Sequence, residues 1–166
     1  MTFDQVPSGT QIFLDANGLI YHFTAHATYG PACTHLIERI EQQDLQAFTS
    51  THVLSDAAHR MMTIEAMQRF GWPIAGLAAR LRKHRAEIPK LTLFEQAIAE
   101  VPQLGIHVWN VRLDMVLMAA RLSRQYELLS GDALIVAMMQ ANGLERLASN
   151  DADFDRVPWI KRFAPA

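Results

Sequence analysis

Short apolar segments that alternate with longer helical patterns are the feature that most constrains the fold. Short apolar runs predict strands at 11–14, 45–48, 106–109 and 146–148, with a fifth edge strand at 160–163. Helical periodicity fills the intervals, at 34–43, 52–70, 73–86, 92–100, 111–125 and 130–142. This alternation indicates βαβ units, so we predict a three-layer α/β/α fold around a mainly parallel sheet of four or five strands.

The chain shows no internal repeat and no linker, so its 166 residues predict a single domain, 1–166. Half of the residues are hydrophobic, which is typical of a globular protein. The longest strongly apolar run, Ala133–Met139, is too short to cross a bilayer, so we expect no membrane association. No Lys or Arg precedes Arg39, and Cys33 is the only cysteine, which favours a cytoplasmic protein.

The formal net charge of −2 argues against a uniformly basic nucleic-acid-binding face. One basic cluster stands out, at Arg80, Arg82, Lys83 and Arg85. Such a cluster is either a solvated helix end or a surface that contacts phosphates, and the second interpretation makes it a candidate RNA-binding site.

Four aspartates fall where a parallel sheet would bring them together. Asp15 follows the first predicted strand and Asp151 follows the fourth, while Asp132 lies in the first turn of a helix and Asp56 lies early in another. Ligands of open α/β sheets bind beyond the carboxyl ends of the strands. Each aspartate alone has an ordinary explanation as a cap, a turn residue or a dipole partner, but all four map to one rim of the sheet.

Clustered carboxylates need a cation or raised pKa values. Two carboxylates 4 Å apart repel by about 1 kcal/mol in water and by about 4 kcal/mol at an effective dielectric constant of 20. Oxygen ligands without paired Cys or His favour Mg²⁺ or Mn²⁺ over zinc. The chemistry that follows is hydrolysis of a phosphodiester by a metal-activated water.

Three motifs stand out around the aspartates, at Phe13–Tyr21, Ser130–Ala137 and Leu147–Phe154. Together they resemble the PIN-domain family, especially VapC-type toxins of bacterial toxin–antitoxin pairs. The resemblance implies an endoribonuclease that uses one or two divalent ions. It also implies that the four acidic positions of the site are Asp15, Asp56, Asp132 and Asp151. Asp153 would be an additional metal ligand, and Asn17 and Ser149 would orient carboxylates or water.

The chain departs from the family at Asp56, where the family usually has Glu. The shorter side chain reaches a metal only through water, which puts a second metal site in doubt. The resemblance further implies a cognate antitoxin and a homodimer, and the Met- and aromatic-rich region 59–100 is our candidate surface for such contacts.

Two alternatives remain open. A haloacid-dehalogenase-type phosphatase would use Asp15 as a nucleophile, but the second Asp that this chemistry needs is replaced by Asn17. A PIN-like module that has lost activity and binds RNA or a protein partner is the other alternative.

Overall fold

The sheet has five strands and every pairing between them is parallel. The computed structural model describes all of residues 1–166. The strands are β1 (Gln11–Leu14), β2 (Gln46–Ser50), β3 (His107–Trp109), β4 (Arg146–Ala148) and β5 (Lys161–Phe163). The predicted parallel sheet, its fifth strand and the edge position of that strand are confirmed.

Seven α-helices connect or flank the strands. They are α1 (Ala16–Phe23), α2 (Gly30–Glu41), α3 (Thr51–Phe70), α4 (Leu77–Lys83), α5 (Leu93–Glu100), α6 (Leu113–Tyr126) and α7 (Ser130–Ala141). Three 3₁₀ turns cover Phe3–Gln5, Arg85–Lys90 and Ala152–Arg156. No helix combines the length and the apolar run that crossing a membrane requires.

The strand order is β3-β2-β1-β4-β5. Strands β2 and β3 are added on one side of β1, and β4 and β5 are added on its other side. The central strands β1 and β4 pair with Phe13 opposite Leu147 and Leu14 opposite Ala148. Their carboxyl ends therefore lie side by side at the topological switch point, which is the usual ligand-binding crevice of an open parallel sheet.

The crossovers distribute the helices over both faces of the sheet. The right-handed connections from β1 to β2 and from β2 to β3 contain α1 to α5, and they place these helices on one face of the sheet. The connection from β3 back to β4 contains α6 and α7 and places them on the other face. The apolar run Ala133–Met139 of α7 is completely buried, as its composition predicts. It joins a core cluster that includes Phe13, Leu14 and Leu147 from the central strands.

Several predicted boundaries were wrong for local reasons. The helix predicted at 73–86 is only Leu77–Lys83, because Gly76 precedes it at a φ of +71° and the chain changes to a 3₁₀ turn after His84. Ser130, a residue type that commonly caps helices, lies within α7, and Leu129 occupies the capping position without a side-chain bond.

Region 59–100 packs largely on itself. Met61 is buried in the main core, and Trp72 packs against a small second cluster formed by Ala66, Leu77, Leu81 and Leu91. Its Met and aromatic content therefore gives little support to the predicted partner surface. Three of the six exposed large apolar side chains lie on α6, where Leu113 and Leu117 are 73% and 57% exposed, and only Ile74 lies in region 59–100.

Candidate active site

Asp15 is held at the carboxyl end of β1 by a complete set of hydrogen bonds. It is the N-cap of α1, and its Oδ1 accepts from the main-chain N–H of Ala16 at 2.6 Å. Its Oδ2 accepts from Asn17 Nδ2 at 2.9 Å and from Ser149 Oγ at 2.7 Å. Only 8% of Asp15 is exposed, so these bonds fix the orientation of a carboxylate that water scarcely reaches.

Ser149 connects the ends of the two central strands. It is fully buried directly after β4, and its Oγ accepts from the main-chain N–H of Asp151 at 3.0 Å while donating to Asp15. Asp151 in turn caps the following 3₁₀ turn, because its Oδ1 accepts from the main-chain N–H of Asp153 at 2.8 Å. One hydroxyl thus orders both acidic segments.

Asp132 is the carboxyl on which all four neighbouring aspartates act. Partial burial, followed by the negative charges of Asp151, Asp15, Asp153 and Asp56 in that order, raises its pKa from 3.8 to about 6. The first turn of α7 thus brings Asp132 within electrostatic range of all four other predicted acidic residues. A carboxyl in this state binds a proton or a cation more readily than an ordinary surface aspartate does.

Burial raises the pKa of Asp15 as well. Hydrogen bonds from Ser149 and Ala16 lower that pKa, and the charge of Asp151 raises it further. Desolvation dominates, because Asp15 has lost nearly all contact with water. The pair Asp15 and Asp132 therefore stores unfavourable electrostatic energy that a bound cation would relieve.

Asp56 and Asp153 are less tightly integrated. The Asp56 side chain is 62% exposed, and its charge is the weakest of the four that act on the Asp132 pKa. The imidazole of His52 lies beside it, with Nε2 3.7 Å from Oδ2. Asp153 accepts an ion pair from Arg156 at 3.0 Å. A metal ligand at Asp153 would compete with that arginine.

No three His, Cys, Asp or Glu side chains are gathered closely enough to enclose an ion on their own. The carboxylates are near one another without converging on a single point. Mg²⁺ commonly keeps several waters and uses only one or two carboxylates, with substrate phosphate completing the shell. An all-oxygen donor set at a strand-end crevice fits such an ion.

Sequence reasoning missed two contributors, Arg162 and His52. Arg162 of β5 donates to both carboxylate oxygens of Asp155 at 2.8 Å and to the carbonyl oxygen of Ser149 at 3.2 Å, which braces the site from the sheet edge. His52 lies against Gly131, where an added Cβ would be 3.3 Å from Nε2. The Ser130-Gly131-Asp132 motif was the only available signal of that close approach.

The basic cluster occupies α4 and the turn after it. Arg80, Arg82, Lys83 and Arg85 are all exposed, and the Arg80 guanidinium lies 5.7 Å from the centre of the Trp72 ring. None of these four cations takes part in an ion pair. They are thus free to meet an anionic partner.

Comparison with known proteins identifies one family. The profile of the PIN domain matches residues 12–160. A protein from Methanocaldococcus jannaschii named Ribonuclease VapC2 is 23% identical over 151 residues, which cover 91% of this chain and 91% of that protein.

Two solved structures have the same fold. VapBC2 from Rickettsia felis, bound to a DNA fragment from its promoter, matches with a TM-score of 0.59 at 13% identity, covering 94% of this chain and 99% of that one. Mycobacterium tuberculosis VapC20, described as a toxin that cleaves the Sarcin-Ricin loop, matches with a TM-score of 0.58 at 20% identity, covering 87% and 92%.

Proposed function

The chain belongs to the PIN-domain family, and from that premise we propose that it is a divalent-metal-dependent endoribonuclease, the cytoplasmic toxin of a toxin–antitoxin pair. The observation that carries the proposal is the grouping of acidic side chains around the β1–β4 switch point, where partial burial and their negative charges raise the pKa of Asp132 to about 6. Structural ion pairs do not explain that perturbation, because every charge acting on Asp132 is negative.

The proposed ligands of Mg²⁺ or Mn²⁺ are Asp15, Asp132 and Asp151, with Asp153 as an additional ligand and Asp56 acting through water. Such an ion supplies charge neutralisation at the phosphate and a lower pKa for a nearby water. The charges of all four other aspartates act on Asp132, so we assign it the central place in the set.

The chain's own residues prepare the site in advance. Ser149 and Asn17 hold Asp15 through hydrogen bonds of 2.7 and 2.9 Å, so the carboxylate needs little rearrangement when a ligand binds. The burial of Asp15 keeps bulk water from screening its charge, which strengthens attraction to a cation. Asn17 is an amide bonded to Asp15, which leaves no acid for phosphatase chemistry at that position.

The names of two similar proteins support RNA as the proposed substrate. One is named a ribonuclease and another a toxin that cleaves the Sarcin-Ricin loop. The proposed partner that inhibits the chain is a cognate antitoxin, by analogy with the Rickettsia felis pair. The basic cluster at Arg80, Arg82, Lys83 and Arg85 is proposed to contact RNA phosphates.

We assign the proposed homodimer contact to the exposed apolar face of α6. Consider two copies of α6 that pack antiparallel about a two-fold axis next to Leu117. Asp114 of one copy would then lie opposite Arg121 of the other, and the symmetry would generate a second, identical pair. Asp114 now pairs only with the neighbouring exposed Arg112, at 2.6 Å. Leu113, Val116 and Leu117 would be covered by the same contact.

Cleavage of RNA by the purified chain tests the function. We expect end-labelled RNA to be cut with Mn²⁺ or Mg²⁺, to stay intact with EDTA, and to stay intact with Asp132→Asn. Asp4→Asn is the matched control, since Asp4 has a 76% exposed side chain whose one ion-pair partner is His35 and which does not act on the Asp132 pKa. Equal cleavage by Asp132→Asn and wild type would contradict the proposal.

A second candidate is a PIN-like module without activity. It is favoured by the lack of a preformed three-residue metal group and by the exposed position of Asp56. Thermal unfolding with added Mn²⁺ separates the two, because a competent site raises the melting temperature. No rise in melting temperature together with no cleavage would favour the inactive module.

A further inference from the structure

A cleft of about 640 Å³ lies between α1, α3 and the segment that leads into α4. Asn17, Tyr21 and His26 line one wall, His59 and Arg60 line another, and Ile74, which is 74% exposed, stands at the α4 side. The volume is in the range of sites that enclose a small organic group. None of the residues proposed to hold the metal lines this cleft.

The cleft is nevertheless tied to the acidic site by two hydrogen bonds. Asn17, which lines it, donates to Asp15 at 2.9 Å. Tyr21, which also lines it, accepts at its hydroxyl from Asn150 Nδ2 at 3.3 Å, and Asn150 directly precedes Asp151. An RNA strand that places one phosphate over the carboxylates would therefore bring its neighbouring nucleotide to the cleft.

The charge of the cleft is opposite to that of the acidic rim. No Asp or Glu lines it, whereas Arg60 and two histidines do. Arg60 takes part in no ion pair, so its guanidinium is free for an anion. The adjoining α4 continues this positive character through its own unpaired arginines and Lys83. A polyanion would thus be attracted along this side of the site.

Aromatic rings give the cleft a surface for a flat ligand. The Tyr21 and His26 ring centres are 4.7 Å apart, and His26 stacks on Tyr29 with 11° between the ring planes. Single-stranded RNA is bound in proteins by rings that stack on unpaired bases, combined with cations that contact the backbone. This cleft offers both elements beside the metal site.

We propose that the cleft binds one unpaired nucleotide of the RNA strand next to the bond that is cut, with its base against Tyr21 and His26 and its phosphate near Arg60. This inference rests on the proposed ribonuclease function and adds to it a preference for a single-stranded segment. Tyr21 and Arg60 are then residues that position the substrate and take no part in the chemistry.

The test measures binding of a fluorescent single-stranded RNA in the Asp132→Asn background, with and without one abasic residue. With Tyr21 present, we expect the abasic residue placed at the cleft to weaken binding about tenfold, the usual scale for one stacked base. Tyr21→Leu should weaken binding of the intact RNA to a similar extent and abolish further sensitivity to the abasic residue. Tyr21→Phe keeps the ring and should retain that sensitivity.

Two matched controls guard against general damage. Tyr126→Leu changes a half-buried tyrosine at the end of α6 and should leave RNA affinity and abasic sensitivity unchanged. Arg60→Gln should weaken binding and reduce its dependence on salt by about one counterion. Lys161→Gln should do neither, since Lys161 begins β5 at the opposite end of the sheet.

The test distinguishes failure of nucleotide binding in the cleft from failure of the proposed ribonuclease function. Equal abasic sensitivity with and without the Tyr21 ring would overturn the cleft proposal, even if the wild-type chain cleaves RNA. Loss of antitoxin binding in Tyr21→Leu with RNA affinity unchanged would also overturn it, by assigning the cleft to a protein partner. Base coupling through Tyr21 without any cleavage by the wild type would support the cleft and contradict the nuclease.

Discussion

Ser149 donates a hydrogen bond to Asp15 at 2.7 Å, although the two residues are 134 positions apart in the chain. The bond exists because β1 and β4 are neighbours, so the residues that follow them meet at one edge of the sheet. Both residues are buried, and the same hydroxyl accepts from the main chain of Asp151. Ser149 is thus the point at which the fold and the proposed active site depend on each other.

Ser149→Ala should destabilise the protein by about 1–3 kcal/mol, because it removes one of the two hydrogen bonds to the buried Oδ2 of Asp15 and leaves the main-chain N–H of Asp151 without its partner. Urea unfolding measures this change. Ser55→Ala, at an exposed position of α3, is the control and should fall within about 0.5 kcal/mol of wild type. A Ser149→Ala protein as stable as its control would show that the bond contributes nothing.

Asp132→Asn should stabilise the metal-free protein at pH 7 while abolishing cleavage. The neighbouring carboxylates repel the ionised form of Asp132, and the neutral amide removes that repulsion. Because Asp132 is only partly buried, we expect about 1 kcal/mol after solvent screening, or a rise in melting temperature of roughly 2–4 °C for a domain of this size. Calorimetry in EDTA makes the measurement, and a lowered melting temperature would count against the electrostatic account.

The metal-free protein should gain stability as the pH falls from about 7 to about 5. The folded-state pKa of Asp132 is raised to about 6 from 3.8, so the folded protein binds this proton more tightly than the unfolded chain does. The stabilisation is absent above the folded pKa and complete below the unfolded one. Melting temperatures of wild type and Asp132→Asn across this range provide the comparison, and the difference between them should shrink on acidification.

Added Mn²⁺ should produce the opposite pH trend. Metal binding needs an ionised carboxylate, so the rise in melting temperature caused by Mn²⁺ should diminish as the pH falls below about 6, the pKa of Asp132. A constant Mn²⁺ effect between pH 7.5 and pH 5 would indicate a binding site that does not involve this residue.

Asp56→Asn should reduce cleavage less than Asp132→Asn does. The Asp56 side chain is 62% exposed and exerts the weakest of the four influences on the Asp132 pKa. Single-turnover rates with saturating Mn²⁺ make the comparison. A loss as severe as that of Asp132→Asn would assign Asp56 direct contact with the metal or the substrate.

The sequence predicted the architecture and the acidic rim because both follow from local patterns and one general rule. Apolar runs located the strands, and the carboxyl-end rule placed Asp15 and Asp151 on the same side before their neighbour relationship was known. The order of the strands, which makes β1 and β4 partners, required the tertiary structure. Arg162 and His52 were missed for that reason, since their contacts depend on register between distant elements.

Helical periodicity does not choose between the two apolar faces of α6. Leu113, Val116 and Leu117 recur at helical spacing, yet Met115 and Ala119 on the adjoining face are the buried residues. Packing against α7 decides which face is covered.

Anomalous diffraction from crystals grown with Mn²⁺ tests the central claim most directly. We predict one strong manganese peak at the carboxyl ends of β1 and β4, with oxygens of Asp15, Asp132 and Asp151 within about 2.2 Å of it or joined to it through one water. A peak elsewhere on the molecule, or none at a Mn²⁺ concentration that supports RNA cleavage, would contradict the account.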